Sequence, residues 1–319
     1  MTPTATGKAA EWAPIAERAI VFGAPRSGTT FLMEVLDTLG EAECVTGNLF
    51  PTALLHLAAT PQPTETREVL ERGLRAGLRD YLSSSAYYSR AAAMRKWWAA
   101  SRDPRDLRPA LAGRRRERVL IYKEPFISFC PDLVWDALPD ARLVYLVRDG
   151  RDVADSLLRK YDALSDTRLA DVESNETPIV RRSGTLLVPW WVERGAEQAF
   201  IEADQYVRAI WIWAAMVSRA QDFLERPDVQ ASGRVLTVRY EDLVADPLGQ
   251  GSALIDFLGM RMGPRTGAAL GDGHQRSLGV YRKRPAATIQ HAEEIARAAL
   301  RRSGYEVATP SPATVVAGP

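Results

Sequence analysis

The sequence predicts an α/β fold, a parallel β-sheet flanked by helices, and three observations carry that expectation. Four short runs, at 18–24, 118–123, 141–147 and 234–239, consist mostly of Ile, Val, Leu, Ala and Tyr without polar alternation. That is the pattern of strands buried on both faces. Each run is followed by a turn or loop signal and then by helical periodicity, and strands alternating with helices imply parallel pairing. The first run, moreover, ends in a glycine-spaced loop that opens at once into a helix.

The elements follow in order. Residues 1–17 read as a poorly ordered lead-in. Phe31, Leu32, Val35, Leu36 and Leu39 share one helical face, and Gly40 ends that helix. A short apolar helix is expected over residues 52–59. Residues 60–75 open with two prolines, and 171–194 is the least regular interior stretch. Irregular segments of this length inside a compact domain commonly serve as lids or substrate loops. Between Arg90 and Arg118, ten Arg or Lys are offset only by Asp103, Asp106 and Glu117. The run reads as a solvated helix face, with a positive rim that attracts an anionic ligand as the alternative. Ala154, Leu157, Leu158 and Tyr161 repeat the helical pattern after the third strand. The longest helical pattern spans about 196–225, where Pro227 stops it. No internal repeat is found. One domain over 18–305, followed by a disordered tail over 306–319, is the expected organisation.

Composition excludes several classes. Lys and Arg number 41 against 40 Asp and Glu, so no global charge draws the chain to nucleic acid. Cys44 and Cys130 are the only cysteines, which excludes a disulfide scaffold and a four-cysteine zinc site. Residues 1–18 lack an apolar core and carry Glu11 and Glu17, so no secretory signal is expected. No run approaches the ~20 apolar residues of a membrane span. The expectation is a soluble, cytoplasmic protein without membrane or nucleic-acid partners, a homodimer being left open.

The chemistry starts at Gly23-Ala24-Pro25-Arg26-Ser27-Gly28-Thr29-Thr30. Its glycine spacing and terminal hydroxyl match a phosphate-binding loop. Backbone N–H groups at the helix start, with the helix dipole behind them, would cradle an anion there. A nucleoside triphosphatase needs lysine where Thr29 stands. The cation has instead moved to Arg26, whose guanidinium can fork onto a transferring oxyanion group. The loop therefore suits a monophosphate-sized anion with a charged group beyond it. The third strand runs into Arg148, at the sheet edge where ligands bind, and Ser156 lies about two turns into the next helix. Together they offer a fork and a hydroxyl for a phosphate dianion. A surface ion-pair cluster among Arg148, Asp149, Arg151 and Asp152 is the competing reading.

The stretch Pro25-Arg26-Ser27-Gly28-Thr29-Thr30-Phe31-Leu32 resembles the 5′-phosphosulfate loop of sulfotransferases that use 3′-phosphoadenosine-5′-phosphosulfate (PAPS). The form with Arg26 in place of lysine is similar to bacterial and tyrosyl-protein members. Arg148 and Ser156 resemble the family's 3′-phosphate element. Arg239-Tyr240-Glu241-Asp242-Leu243 resembles a stretch whose tyrosine lies against adenine. Residues 276–284 look like the late basic loop over the nucleotide, which makes Ser277 and a cation among Arg282, Lys283 and Arg284 phosphate contacts. The resemblance runs from about Ala19 to Tyr305. It implies a P-loop nucleoside-triphosphate-hydrolase-like sulfotransferase fold, with Arg26, Ser27, Gly28, Thr29, Thr30, Arg148, Ser156, Tyr240, Ser277 and Arg282 on the nucleotide. It also implies PAPS as co-substrate with no metal required, and a small-molecule or secondary-metabolite hydroxyl as acceptor.

Sulfuryl transfer needs cations on the transferring oxygens, a base for the acceptor and exclusion of water. Arg26 is the first cation. Lys123, in Tyr122-Lys123-Glu124-Pro125-Phe126, resembles the family's strand-end lysine and is the second. The base is less readable. Pro125 stands where cytosolic members place histidine, and residues 45–51 hold no carboxylate where other members place glutamate, Asn48 being no base. His56, Glu124 and Asp80 remain. His56 has a suitable intrinsic pKa; Glu124 adjoins Lys123, although neighbours on a strand point to opposite faces. Trp190-Trp191 closes the irregular segment and is the better aromatic pair for an acceptor pocket than Trp97-Trp98, while Trp211 and Trp213 read as core. Two other functions compete. A small-molecule kinase lacks its lysine at Thr29, and a regulatory binder of PAPS or its bisphosphate product would need neither Arg26 nor Lys123.

Overall fold

The computed structural model describes residues 18–47, 49–84, 90–112, 119–171, 180–273 and 275–307. The expected lead-in, Asn48, and all of the expected tail beyond residue 307 lie outside the described residues. Strands β1 (Arg18–Phe22), β2 (Ala42–Thr46), β3 (Val119–Lys123) and β4 (Arg142–Val147) precede a hairpin, β5 (Val180–Ser183) and β6 (Leu186–Pro189), and then β7 (Val235–Arg239). The five-stranded sheet has the order β2-β3-β1-β4-β7 and is parallel throughout. The expected fold class and its four strands are present.

Strand alternation divides the core into two layers. Ala19 and Val21 face one side with Ile121, Val144 and Leu146, covered by Leu32 and Leu36 of the helix Thr29–Asp37 and Leu254 of the helix Pro247–Phe257. Ile20 and Phe22 face the other with Tyr122 and Tyr145. That face packs against helices Pro131–Ala137, Gly150–Tyr161, Gln205–Leu224 and Ala286–Arg302. Helices on both faces are why β1, β3 and β4 read as unbroken apolar runs; β7, at the sheet edge, departs from the expected burial on both faces, with Val238 buried and Thr237 exposed.

The structure corrects four expectations. Residues 60–75 are mostly helical: Pro63 starts the helix Thr64–Ser83, which buries Leu70, Leu74 and Leu78 at a four-residue spacing. The stretch 171–194 contains the β5–β6 hairpin, turned at Gly184 with φ 60°. The pattern at 196–225 divides into helices Glu197–Glu202 and Gln205–Leu224, because the Asp204 carboxylate accepts from the Val207 N–H at 2.9 Å and starts a new helix. The basic run forms helices Arg90–Ala100 and Pro104–Ala112 in its described part, and its last cations, Arg114, Arg115, Arg116 and Arg118, lie outside the described residues. It is not wholly a solvated face, since buried Lys96 donates to the Asp37 carbonyl at 2.6 Å and closes the phosphate-loop helix. Among the described residues, no helix is long and apolar enough to cross a membrane.

Candidate active site

The carboxyl ends of β1, β3, β4 and β7 meet at one sheet edge, with Val21 in register with Lys123, Phe22 with Tyr145, and Val147 with Arg239. In open parallel sheets this edge is where ligands sit. The loop after β1 is held close to its neighbours. A Cβ on Gly23 would lie 2.1 Å from the Leu146 carbonyl oxygen, and one on Gly28, at φ 99°, would lie 2.4 Å from the Tyr240 ring. Both glycines are therefore fixed by contact, and Tyr240 forms the floor beneath the loop.

Arg26 adopts the left-handed conformation, φ 72°, which costs an L-residue roughly 1–2 kcal/mol. Its Nε donates to the Ser156 hydroxyl at 3.0 Å, and its carbonyl accepts from Arg148 Nη1 at 3.3 Å. Arg148 is 5% exposed; its Nη2 donates to the Ser277 carbonyl at 2.6 Å and its guanidinium lies 4.7 Å from the Tyr240 ring centroid. Arg26, Arg148, Ser156, Tyr240 and Ser277, drawn from four separate stretches of the sequence, are thus one connected cluster. The buried Ser27 hydroxyl and Arg148 Nε have no partner among the described residues. Buried donors are almost always paired, so two orphans beside a helix N-terminus fit a phosphate-bearing ligand.

The late basic loop is tied to the helix that bears Ser156. Asp152 accepts from the Gly279 and Tyr281 N–H groups at 2.7 and 3.2 Å, and Arg284 forks onto Asp155 at 2.7 and 2.9 Å. Arg284 is therefore engaged, whereas Arg282 and Lys283 are exposed. The ion-pair reading of this region is corrected in part. Arg151 joins Asp149 at 2.7 Å and Glu293 at 2.5 Å in a buried network that anchors the last helix, while Arg148 stands apart from it.

Lys123 ends β3 half-buried. Burial pushes its pKa down, adjacent Glu124 opposes this, and Arg26 adds to it, which puts the two cations within electrostatic reach. Glu124 is buried and caps the short 3-10 turn Pro125–Phe129, one oxygen accepting from the Phe126 N–H at 3.1 Å. Burial holds its carboxyl above the usual carboxylate range, against the pull of that N–H and of Lys123.

His56 lies in the expected helix, Thr52–Ala58, and is 1% exposed. Its Nδ1 accepts from the Trp190 indole N–H at 2.9 Å. An indole nitrogen can only donate, so the neutral imidazole carries its proton on Nε2. Burial lowers its pKa to about 4. His56 opens onto a cleft of about 490 Å³ shared with Ala24 and Pro25 of the phosphate loop and with Pro125, Phe126 and Trp213. Asp80 is exposed on the helix Thr64–Ser83. Trp190 reaches the cleft through His56, whereas Trp191 is core, packed edge-on against Phe200. Trp213, read as core, also lines the cleft and donates to the Arg148 carbonyl at 3.1 Å. Helical periodicity could not separate that second role from packing.

These features define an α/β protein of P-loop-like fold, with Arg26 on the loop after β1 and Lys123 and Arg148 at the ends of the strands on either side of β1. The chain belongs to the sulfotransferase family, whose profile matches residues 19–264. It is similar to carbohydrate sulfotransferase 2 of Homo sapiens and of Mus musculus, each 30% identical over 162 residues that cover 47% of this chain and 29% of the relative. The match thus spans less than a third of those curated relatives. The sulfotransferase domain of the Synechococcus PCC 7002 olefin synthase matches with TM-score 0.47 and 19% identity, covering 93% of this chain and 100% of that one. Sulfotransferase STF9 from Mycobacterium avium gives TM-score 0.47 and 16% identity, covering 92% and 79%.

Proposed function

We propose that this protein transfers a sulfuryl group from PAPS to the hydroxyl of a small-molecule acceptor. The observation that carries the reading is the hydrogen-bonded cluster of Arg26, Ser156, Arg148 and Ser277 beside the unpartnered Ser27 hydroxyl. Ser27, Gly28, Thr29 and Thr30 would hold the 5′-phosphate, and Arg148 with Ser156 the 3′-phosphate. Arg282 and Lys283 are the late-loop cations left for the nucleotide. PAPS supplies an electrophilic sulfur and a phosphate leaving group. Arg26 and Lys123 bear the negative charge that spreads over the sulfuryl and bridging oxygens. The acceptor oxygen forms its bond to sulfur as the sulfur–phosphate oxygen bond breaks, and the acceptor proton departs.

His56 is assigned to orientation: its Nε2–H donates to the acceptor oxygen. Glu124 is assigned as the base, through the carboxylate oxygen that the Phe126 cap leaves over. Glutamine at His56 can accept from Trp190 and donate to the acceptor, so H56Q should stay within roughly threefold of wild-type kcat, while H56A loses about tenfold or more. E124Q keeps the cap and should lower kcat by about 10²-fold or more. A base works deprotonated, so activity should fall as pH drops through the raised Glu124 pKa, above the ordinary carboxylate range. An E124Q enzyme with near-normal turnover would reduce Glu124 to a cap.

The donor is tested by melting. In EDTA, 3′,5′-bisphosphoadenosine at 100 times its Kd should raise Tm by roughly 5 °C. Stabilisation by magnesium ATP alone would instead favour a kinase.

A further inference from the structure

The cleft beside the phosphate loop narrows the acceptor class, an inference that rests on the sulfuryl-transfer reading. Leu157, Leu169, Ile212 and Met216 make its walls largely apolar, and Arg168 is the one charged side chain lining it among the described residues. Such walls favour an apolar body and leave the hydroxyls of a sugar ring few partners. Arg168 is exposed, on the short helix Asp166–Ala170 that buried Leu169 anchors. The acidic residue that starts this helix, Asp166, is already paired with Arg208 at 2.6 Å. The Arg168 guanidinium thus offers a fork for a carboxylate at an otherwise apolar wall.

We propose that the acceptor is an apolar alcohol that also carries an anionic group, its hydroxyl directed to Arg26 and Lys123 and its anion to Arg168. The cleft volume of about 490 Å³ suits one small molecule.

The test is calorimetric binding to the protein saturated with 3′,5′-bisphosphoadenosine. The probes are ω-hydroxy carboxylic acids of increasing chain length, n-alkanols of matched length and a monosaccharide panel. The hydroxy acids should bind best, with an optimum in chain length. R168A should weaken the best acid about tenfold or more and leave the matched alkanol within about twofold. The proposal is overturned if R168A weakens acid and alkanol alike, if it weakens neither, or if monosaccharides bind more tightly than the hydroxy acids. Because Arg168 is exposed, an unchanged Tm is expected for R168A, which separates a binding effect from a folding one. Failure of the bisphosphate itself to bind would sink the sulfuryl-transfer reading, whereas a bisphosphate-binding protein that ignores Arg168 sinks only this one.

Discussion

R26A is expected to lower kcat by about 10²–10³-fold, the usual consequence of removing a preorganised donor from developing transition-state charge. Binding of 3′,5′-bisphosphoadenosine should change far less, because that product lacks the sulfuryl group and the loop N–H groups remain. The Arg26 backbone is held at φ 72° and its carbonyl receives Arg148. The backbone thus aims the side chain, and the Ser156 bond fixes it further. R26K should restore little, since a lysine cannot hold Ser156 and fork onto an oxyanion together. Single-turnover kinetics with saturating PAPS provide the measurement. An R26A enzyme within threefold of wild type would remove Arg26 from the chemistry.

R148A should act on affinity. Loss of this buried guanidinium strips the Ser277 carbonyl and the loop carbonyl of their donor, and truncating one member of a buried charged contact costs about 2–5 kcal/mol. The Kd for 3′,5′-bisphosphoadenosine should therefore rise roughly 30-fold or more. The Kd for 5′-AMP, which lacks the 3′-phosphate, should rise much less. An equal loss for both nucleotides would make Arg148 a prop for the loop rather than a 3′-phosphate ligand.

The sheet was legible because crossover helices bury both of its faces, which leaves apolar runs that no other element type explains as well. Strand β2 escaped for the opposite reason. Its Ala-Glu-Cys-Val-Thr sequence buries Glu43, which accepts from the Tyr81 hydroxyl at 2.9 Å, so the polar residue is paired by a helix distant in sequence. The break at Asp204 is likewise a local hydrogen bond inside an otherwise continuous periodicity. At the candidate site, the positions of Arg26, Lys123 and Arg148 were legible because each sits at or just after the end of an apolar strand run. The state of His56 was not, because its tautomer is set by Trp190, 134 residues away. Nor could the sequence separate the late-loop cations, since Arg284 is singled out only by its fork onto Asp155.

The Trp213 indole faces two ways: its ring borders the cleft and its N–H holds the carbonyl of Arg148. One fluorophore therefore links the cleft to the backbone of Arg148. Because the chain carries eight tryptophans, its own signal is the difference in emission between the wild-type protein and W213F, a comparison that follows binding without a label and without turnover.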